Sequence, residues 1–443
     1  MSRFVFAWRD RVGRLSHALQ RQVREIRAGG GPVLMRKTVA LVETILAVPL
    51  VLLARALRPW VILRFSVLPS GSIGPFAAGM EIYLCERDAG LHGRRTLDIF
   101  SCHLAVSNEQ LKTMWERVVY VNRLARPAER INRWLPGGQC HRMPWRRLQA
   151  RDVHNLLVST RPHLAFTPEE ARQGFAALRE LGVPEGVPVV CFHARDMGYY
   201  AVNRSDKRVP EREHAFRNSD IRTHLMAVEE LTRRGYAALR VGACVERPLE
   251  TSNPRIIDYS TIARSDLLDV FLCASCRFFI GDASGLASVP LTFRRPVALV
   301  NYSQLAGAWT WDPSHLFIPK KLWSRAERRL LTFPEILQSG IGAFSRNELF
   351  EQAGVEFIDN TPEEITALAV EMDERLRGAW EASEEDEELQ RRFWALFRHG
   401  MEQHRVEKAQ HGIIRSRMGA EFLRQNRALL DETTVSDPLV VRL

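Results

Sequence analysis

Two short polar segments follow apolar, strand-like runs, and their residue types suit the binding of a diphosphate. His193-Ala194-Arg195-Asp196 comes after residues 189–192, and Gly281-Asp282-Ala283-Ser284-Gly285-Leu286 comes after residues 278–280. A guanidinium binds two phosphate oxygens through parallel N–H bonds, and a glycine-containing turn before a helix offers main-chain N–H groups to an anion. The sequence therefore predicts a diphosphate clamp with Arg195 on one side and the turn on the other.

The turn is predicted to open a short helix over residues 284–293, because Pro290 removes one helical N–H. Ser284 and Ser288 add hydroxyl groups near its start, and Gly285 and Leu286 carry the main-chain N–H groups of the expected site. A capped strand-to-helix turn without any ligand is the open alternative, since such turns are common.

Several other chemistries are excluded by spacing. Ser284 lacks the flanking glycines of the G-x-S-x-G nucleophile motif, and neither a Walker A sequence nor a G-x-G-x-x-G after a strand is present. Because Asp-x-Asp is also absent, we expect no metal to hold the diphosphate. Cys273-x-x-Cys276 has no second pair, so an apolar helix is favoured there over zinc or redox chemistry.

The acid or base of a reaction stays open at this point. His193 either takes part directly or only orients Arg195, and Asp196 and Glu81 are further candidates. Three other residues complete the predicted site: Gly242, which follows a strand-like run, and Ser72 and Gly74, which lie in a loop of small residues.

The elements that would position these residues alternate between strand and helix, which is typical of an α/β fold. Strands are predicted over residues 61–68, 97–102, 189–192, 236–241, 256–259, 278–280 and 297–300. In such parallel sheets, ligands bind beyond the carboxyl ends of the strands. The chain is predicted to consist of four segments: a membrane-associating N-terminal segment over residues 1–60, an α/β domain over 61–183, a second α/β domain over 184–360, and a helical tail over 361–443.

Charge and composition describe a globular chain with one basic end. Of a net charge of +10 on 443 residues, +7 lies within residues 1–37, so the remainder is nearly balanced and does not suggest nucleic-acid binding. The seven cysteines are scattered, which indicates a reducing compartment.

An apolar stretch over residues 39–63 follows the basic end, interrupted by Glu43, Pro49, Arg55 and Arg58. These interruptions favour a helix lying in or re-entering the membrane over a full crossing, and a buried helix of the first domain is the alternative. We expect residues 1–60 to bind an anionic membrane at the cytoplasmic face of the inner membrane.

Residues 126–165 are rich in Arg, Trp, Pro and His, including Arg133-Trp134 and Trp145-Arg146-Arg147. This composition suits either a nucleic-acid patch or loops over an acceptor cleft. The second interpretation is favoured, because the stretch is short and contains no known nucleic-acid motif.

At the two phosphate-binding segments the sequence resembles glycosyltransferases of the GT-B type. Residues 281–286 are similar to the donor-side motif of lipopolysaccharide heptosyltransferases, and His193-x-Arg195 is similar to the diphosphate-binding motif of GDP-fucose-using fucosyltransferases. Residues 192–199, 217–220, 271–290 and 316–320 resemble a family of bacterial surface-glycan glycosyltransferases. The resemblance covers residues 61–360 and is strongest over 187–301.

The resemblance implies two Rossmann-like domains facing across a cleft, acceptor side first and donor side second. It also implies metal-independent transfer from a nucleotide-sugar, with no other cofactor, to a glycolipid, lipopolysaccharide or polysaccharide acceptor. Many GT-B enzymes carry a histidine after the first glycine loop, whereas Pro75 follows Gly74 here. A non-catalytic binding or scaffold protein with the same fold is the alternative function.

Overall fold

The computed structural model describes residues 2–93, 95–143, 151–199, 213–262, 264–403 and 411–431. The basic side chains before residue 25, Trp145-Arg146-Arg147, and residues 432–443 of the predicted tail lie outside this description. By internal contacts the chain forms two compact units. Unit 1 comprises residues 1–68, 92–103 and 119–145, and unit 2 comprises residues 69–91, 104–118 and 146–443. The domain borders drawn from the sequence stay a prediction.

The helices and strands are numbered here in chain order. The helices are α1 (Ser2–Ala56), α2 (Met80–Asp88), α3 (Glu109–Glu116), α4 (Ala125–Trp134), α5 (Pro168–Glu180), α6 (Leu225–Arg233), α7 (Tyr259–Ile262), α8 (Asp266–Ser275), α9 (Ser288–Thr292), α10 (Phe333–Gln338), α11 (Asn347–Gln352), α12 (Pro362–Arg377), α13 (Glu384–Gln403) and α14 (Ala420–Gln425). The strands are β1 (Ile62–Val67), β2 (Thr96–Ser101), β3 (Val189–His193), β4 (Ala237–Arg240), β5 (Ile256–Ile257), β6 (Phe279–Gly281), β7 (Val297–Tyr302), β8 (Leu316–Pro319), β9 (Lys321–Ser324), β10 (Arg329–Leu330), β11 (Val355–Ile358) and β12 (Arg417–Met418).

Helix α1 bends sharply at Gly30, whose φ of 59° and ψ of −151° are not helical. Lys37 Nζ lies 2.8 Å from Glu25 Oε2, although residues twelve apart in a straight helix are separated by about 18 Å. The pair therefore shows that the basic part of α1 turns away from the axis of its apolar part at this glycine.

Only a narrow stripe of the apolar part of α1 is buried against the rest of unit 1. Ala47, Val51 and Ala54 pack into a core with Leu63 and Phe65 of β1. Most large apolar side chains between Gly30 and Ala56 are instead exposed: Leu34, Met35, Val39, Leu41, Val42, Ile45, Leu46, Val48, Leu52 and Leu53. The segment Gly30–Ala56 is long and apolar enough to cross a membrane, and only 17% of its most apolar window is buried. The alternative of a buried helix of the first domain is therefore wrong for most of this segment.

Both units contain parallel sheets, as the alternation of elements predicted. In unit 1, β1 and β2 pair in parallel with Ile62 opposite Thr96. In unit 2, seven strands follow the order β12-β8-β7-β6-β3-β4-β5, and every neighbouring pair is parallel. Strand β9 pairs antiparallel with β10 and β11 in a smaller sheet. The chain is thus a mixed α/β protein.

The order of the large sheet determines where a ligand site should lie. After β3 the chain builds outward through β4 and β5 on one side, and then returns to place β6 on the other side of β3. Such a reversal leaves a crevice beyond the carboxyl ends of the two central strands. His193 and Gly281, the last residues of β3 and β6, are direct partners across this reversal.

Two local expectations were wrong. Helix α9 begins at Ser288 rather than Ser284, because turns at Asp282–Ser284 and Gly285–Ser288 come first, and Pro290 then lies in the first turn, where its missing N–H costs least. The tail is not wholly helical, since β12 extends the large sheet.

Candidate functional site

A cavity of about 250 Å³ in unit 2 lies beyond the carboxyl ends of β3, β4 and β6. Most of its lining comes from four chain segments: the loop at Ser72–Pro75, the residues after β3, the residues after β4, and the turn after β6. Ser107, Arg217, Arg264 and Asp269 complete it. The predicted residues that it brings together are Ser72, Gly74, His193, Arg195, Asp196, Gly242, Ser284, Gly285 and Leu286. Nine residues that are far apart in sequence therefore meet in one cavity, which we call the central pocket.

Two glycines allow two of these segments to approach closely. A Cβ on Gly74 would lie 3.0 Å from the Cα of Gly285, and one on Gly285 would lie 3.2 Å from the nitrogen of Gly74. A Cβ on Gly281 would lie only 2.4 Å from the carbonyl oxygen of His193. Side chains at these positions would separate the loops that line the pocket.

Arg195 is buried at the pocket and holds a neighbouring segment in place. Its Nη1 donates to the carbonyl oxygen of His214 at 2.9 Å and makes a short bond to Asn218 Oδ1. Its main-chain N donates to Asp282 Oδ2 at 2.7 Å. Nη1 of the Arg195 guanidinium thus supports residues 214–218, so only the rest of the guanidinium could bind a diphosphate.

The supported segment brings a second arginine to the pocket. Arg217 lines the cavity, and its Nη2 makes a short bond to the carbonyl oxygen of Ala283 in the turn after β6. Lys320 Nζ donates to the carbonyl oxygen of Asn218 at 2.6 Å, and Ser219 Oγ donates to Asp282 Oδ2 at 2.7 Å. Arg217 is therefore fixed against the same turn that was expected to meet the phosphates.

Arg264 is the third arginine of the lining, and it comes with an acidic partner. Its Nη2 lies 2.9 Å from Asp269 Oδ2, and Asp269 also accepts from the hydroxyl of Tyr259 at 3.0 Å. Three arginines and two aspartates, Asp196 and Asp269, thus line the pocket. The lining carries a small positive excess, which favours an anionic ligand.

Two buried hydroxyl groups in the lining have no hydrogen-bond partner among the residues that the structure describes: Ser284 Oγ and Ser107 Oγ. Ser284 is only 8% exposed. A buried hydroxyl without a partner loses about 1–3 kcal/mol of hydrogen-bonding free energy relative to water, so a ligand that bonds to it recovers stability. Ser284 therefore remains a candidate binding residue, although not as part of a helix terminus.

His193 is held as a neutral imidazole. Burial lowers the pKa of His193 to about 4. Its Nδ1 lies 2.9 Å from the carbonyl oxygen of Val241, and since a carbonyl only accepts, Nδ1 carries the proton and Nε2 keeps a lone pair. A Cβ on Gly242 would lie 3.3 Å from this Nδ1. The ring can thus accept a hydrogen bond at Nε2 but is not cationic at neutral pH.

Asp196 and Asp282 both support the main chain around the pocket. Asp196 lines it, but its Oδ1 accepts from Gly198 N at 2.9 Å and its Oδ2 from Glu246 N at 3.0 Å. Asp282 is absent from the lining and is 1% exposed. Burial raises the pKa of Asp282 to about 6. Ser288 is also buried outside the lining.

Glu81 lies away from the pocket lining, in a buried ion cluster. Its Oε1 accepts from Arg294 Nη2 at 2.7 Å and is 3.1 Å from His163 Nδ1, while His163 Nε2 is 2.9 Å from Asp88 Oδ2. Contacts with the Cys85 thiol and the Glu81 carboxylate raise the pKa of His163 to about 10. The structure therefore gives Glu81 an internal partner and no place beside a ligand in the central pocket.

The same cluster is the one group of potential metal ligands among the described residues, with donor atoms of Glu81, Cys85 and His163 within 4.8 Å of one another. A protonated imidazole has no lone pair for a metal, and the Arg294 guanidinium already occupies the carboxylate. These residues fit an ion-pair cluster rather than a metal centre.

Sequence reasoning missed several lining residues, namely Ser107, Tyr199, Arg217, Ala243, Cys244, Arg264 and Asp269. Arg217 could have been found, since it precedes Asn218-Ser219-Asp220 in a segment that carried the resemblance. Arg264 gave no signal, because it lies between a short helix and α8 in an ordinary polar loop. Arg133 and Trp134 belong to helix α4 and not to a loop, which corrects the interpretation of that stretch.

No protein-family model and no curated protein matches this chain. Solved structures to which it is similar include several glycosyltransferases. A family 9 glycosyl transferase from Veillonella parvula shares 11% identity over 59% of this chain and 86% of its own, with a TM-score of 0.37. ADP-heptose lipopolysaccharide heptosyltransferase II from E. coli shares 12% over 70% of this chain and 100% of its own, with a TM-score of 0.35.

The iron-containing dodecameric glycosyltransferase TibC from enterotoxigenic E. coli shares 14% identity over 54% of this chain and 58% of its own, with a TM-score of 0.30. At TM-scores this low the likeness carries no argument about this chain. Its function is therefore argued from its own residues.

Proposed function

We propose that the chain is a glycosyltransferase that moves a sugar from a nucleotide-sugar to a lipid-linked, lipopolysaccharide or surface-polysaccharide acceptor. The observation that carries the proposal is the central pocket, where Arg195, Arg217 and Arg264 meet the unpartnered hydroxyl of Ser284 at the carboxyl ends of parallel strands. Guanidinium groups and a fixed hydroxyl are suited to a diphosphate.

In the proposed reaction the bond between the sugar C1 and the diphosphate oxygen breaks, and the oxygen of the acceptor hydroxyl forms the new bond to C1 as its proton is released to solvent. The diphosphate leaves with the electron pair, and the arginines stabilise the charge that develops on it. His193 Nε2 is a hydrogen-bond acceptor at the pocket, so it orients a donor group rather than supplying positive charge. We propose that transfer needs no divalent metal, because the pocket supplies arginines where a metal would otherwise bind the diphosphate.

We further propose that the enzyme works at the cytoplasmic face of the inner membrane, attached through residues 1–60, within a GT-B arrangement. The exposed apolar side chains of α1 and the basic residues before them support the attachment. Because Ala47, Val51 and Ala54 also fill the core of unit 1, the attachment is better tested by surface changes than by deletion. The triple variant Leu41→Gln, Ile45→Gln, Leu52→Gln alters exposed residues alone and should release the protein from membranes.

The alternative is a non-catalytic binding or scaffold protein of a surface-glycan assembly system. The experiment that separates the two is a thermal-shift screen with UDP, GDP, ADP and CMP sugars. Saturation at one hundred times Kd stabilises a folded protein by about 2.7 kcal/mol, so one donor class should raise the unfolding temperature. If no nucleotide-sugar does so, the scaffold alternative is favoured and the proposed transfer fails.

A further inference from the structure

The arginine-rich helix α4 lies directly against the apolar helix α1 in unit 1. Ala125 and Ala128 of α4 share one buried cluster with Ala47, Val51 and Ala54 of α1. Small residues on both helices allow their axes to approach closely. The two helices are therefore neighbours on the surface of unit 1.

Two polar contacts fix their relative register. Arg123, just before α4, has its Nε 2.9 Å from Glu43 Oε1 of α1. Arg55 Nη1 of α1 donates to Asn132 Oδ1 of α4 at 3.3 Å. The helices therefore run side by side in the same direction. Since Glu43 lies among the exposed apolar side chains of α1, Arg123 marks a border between an apolar and a basic surface.

The outer side of α4 has the composition of a membrane interface. Arg123, Arg126, Arg130 and Arg133 recur every three or four residues, and Glu129 is the one acidic residue among them. Arg130 and Arg133 are exposed. A row of arginines beside an apolar helical surface is typical of interfacial binding to anionic lipids.

Tryptophan residues occur near the same end of the helix pair. Trp134, the last residue of α4, is 87% exposed, and Trp60, shortly after α1, is 69% exposed. Arg55 connects the two regions, because it bonds to Asn132 and to the carbonyl oxygen of Pro136. Exposed tryptophans of this kind are enriched at the headgroup level of membranes.

We propose that α4 and the exposed surface of α1 form one binding surface for an anionic bilayer. The arginines of α4 bind lipid phosphates, while Leu41, Ile45 and Leu52 of α1 enter the acyl region. The inference rests on the proposed attachment through residues 1–60, which it extends to a second helix, and it does not depend on the donor pocket.

This surface holds α1 in the plane of the membrane. From Glu43 to Ala54 the helix contacts other residues of unit 1, and the segment from Gly30 to Val42 precedes these contacts. Those residues span about 20 Å as a helix, which is less than the roughly 30 Å of a bilayer core. The protein therefore binds one face of the bilayer without crossing it.

The test is co-sedimentation of the full chain with vesicles of phosphatidylcholine, alone or mixed with anionic phosphatidylglycerol. The double variant Arg130→Gln, Trp134→Ala changes exposed residues of α4 and should keep the fold, which circular dichroism checks. Loss of one arginine should lower partition into the anionic vesicles about five-fold, and loss of the tryptophan should lower it further. Arg391→Gln removes an exposed arginine of α13 in unit 2 and should leave partition unchanged.

Three results would overturn the proposal: unchanged partition of the double variant, equal partition into neutral and anionic vesicles, or a lipid-free dimer of the wild-type chain that the double variant dissociates. The last result would assign the surface to a second copy of the chain. Nucleotide-sugar binding by the double variant should equal that of the wild type. A failure of the donor proposal would therefore appear in a different measurement from a failure of this one.

Discussion

Replacement of Asp282 by asparagine should change how the stability of the protein depends on pH. The carboxyl group is buried, and burial raises its pKa from 3.8 to about 6. Its Oδ2 accepts two hydrogen bonds, from Arg195 N and Ser219 Oγ, while its Oδ1 has no partner in the described part of the chain. The native state therefore favours the neutral acid, which an amide resembles in shape and charge.

The sign and size of the effect follow from this shift. Since the pKa is higher in the folded state than in the unfolded state, Asp282 contributes stability that is fully present below about pH 3.8 and is lost as the pH rises through about 6. A shift of this size corresponds to about 3 kcal/mol in total. Between pH 4.5 and pH 7.5 the part that is lost is about 2 kcal/mol.

Asparagine does not titrate, so Asp282→Asn lacks this loss. The free energy of unfolding of the variant minus that of the wild type should rise by about 2 kcal/mol from pH 4.5 to pH 7.5. Urea unfolding followed by tryptophan fluorescence at both pH values measures this quantity. Any fixed cost of the amide cancels, because only the change with pH is compared.

Glu348→Gln, on the exposed side of α11, is a matched control. The difference between its free energy of unfolding and that of the wild type should change by less than about 0.5 kcal/mol between pH 4.5 and pH 7.5. A constant or falling difference for Asp282→Asn would refute the reasoning. It would mean that Asp282 is charged in the folded protein and that Arg195 and its neighbours stabilise that charge.

Other residues give further predictions. Arg195→Ala should lower turnover about 10²-fold and also lower the unfolding temperature, because His214 and Asn218 lose their hydrogen-bond donor. Arg195→Lys should recover part of the turnover and part of the unfolding temperature. Wild-type turnover in a folded Arg195→Ala protein would contradict the clamp. Ser284→Ala should weaken donor binding only two- to ten-fold by calorimetry, since one neutral hydrogen bond is lost, and a larger loss would point to a catalytic role. His163, with its pKa of about 10, contributes stability that is present below pH 6.5 and is lost as the pH rises through about 10. The unfolding temperature of the wild type should therefore fall toward that of His163→Gln between pH 8 and 10. A constant difference between the two unfolding temperatures would exclude the ion pair with Glu81. EDTA should leave transfer unchanged in a radiolabelled-sugar assay, and restoration of a lost activity by magnesium or manganese would contradict metal independence.

Much of the large sheet could be predicted because its strands are continuous apolar runs. The strand expected over residues 297–300 is observed as Val297–Tyr302, and that over 189–192 as Val189–His193. Helix caps depend on similarly local sequence, since Thr361 and Glu364, three residues apart, form the capping box of α12. Local sequence carries these features, because they depend on neighbours only a few residues apart.

The parts that were not predictable depend on distant contacts. Arg195 and His214 are 19 residues apart, and nothing near either residue shows that the guanidinium supports that carbonyl. Glu81 was chosen as a possible base from its type and position, whereas its partner Arg294 is 213 residues away in sequence. The start of α9 was misplaced because turns at Asp282–Ser284 and Gly285–Ser288 precede it, in a segment that lies against the distant Gly74.

The most direct test of the central claim is a calorimetric titration of nucleoside diphosphates and the corresponding monophosphates into the wild type and Arg217→Ala. Arg217 is chosen because its guanidinium lines the pocket and is fixed against the turn after β6. The pocket predicts at least about ten-fold tighter binding of one diphosphate than of its monophosphate, since a second phosphate adds charge-assisted hydrogen bonds of about 1.5–3 kcal/mol. It also predicts that Arg217→Ala removes most of this difference. Equal affinity for the two nucleotides, or no binding of either, would contradict the account.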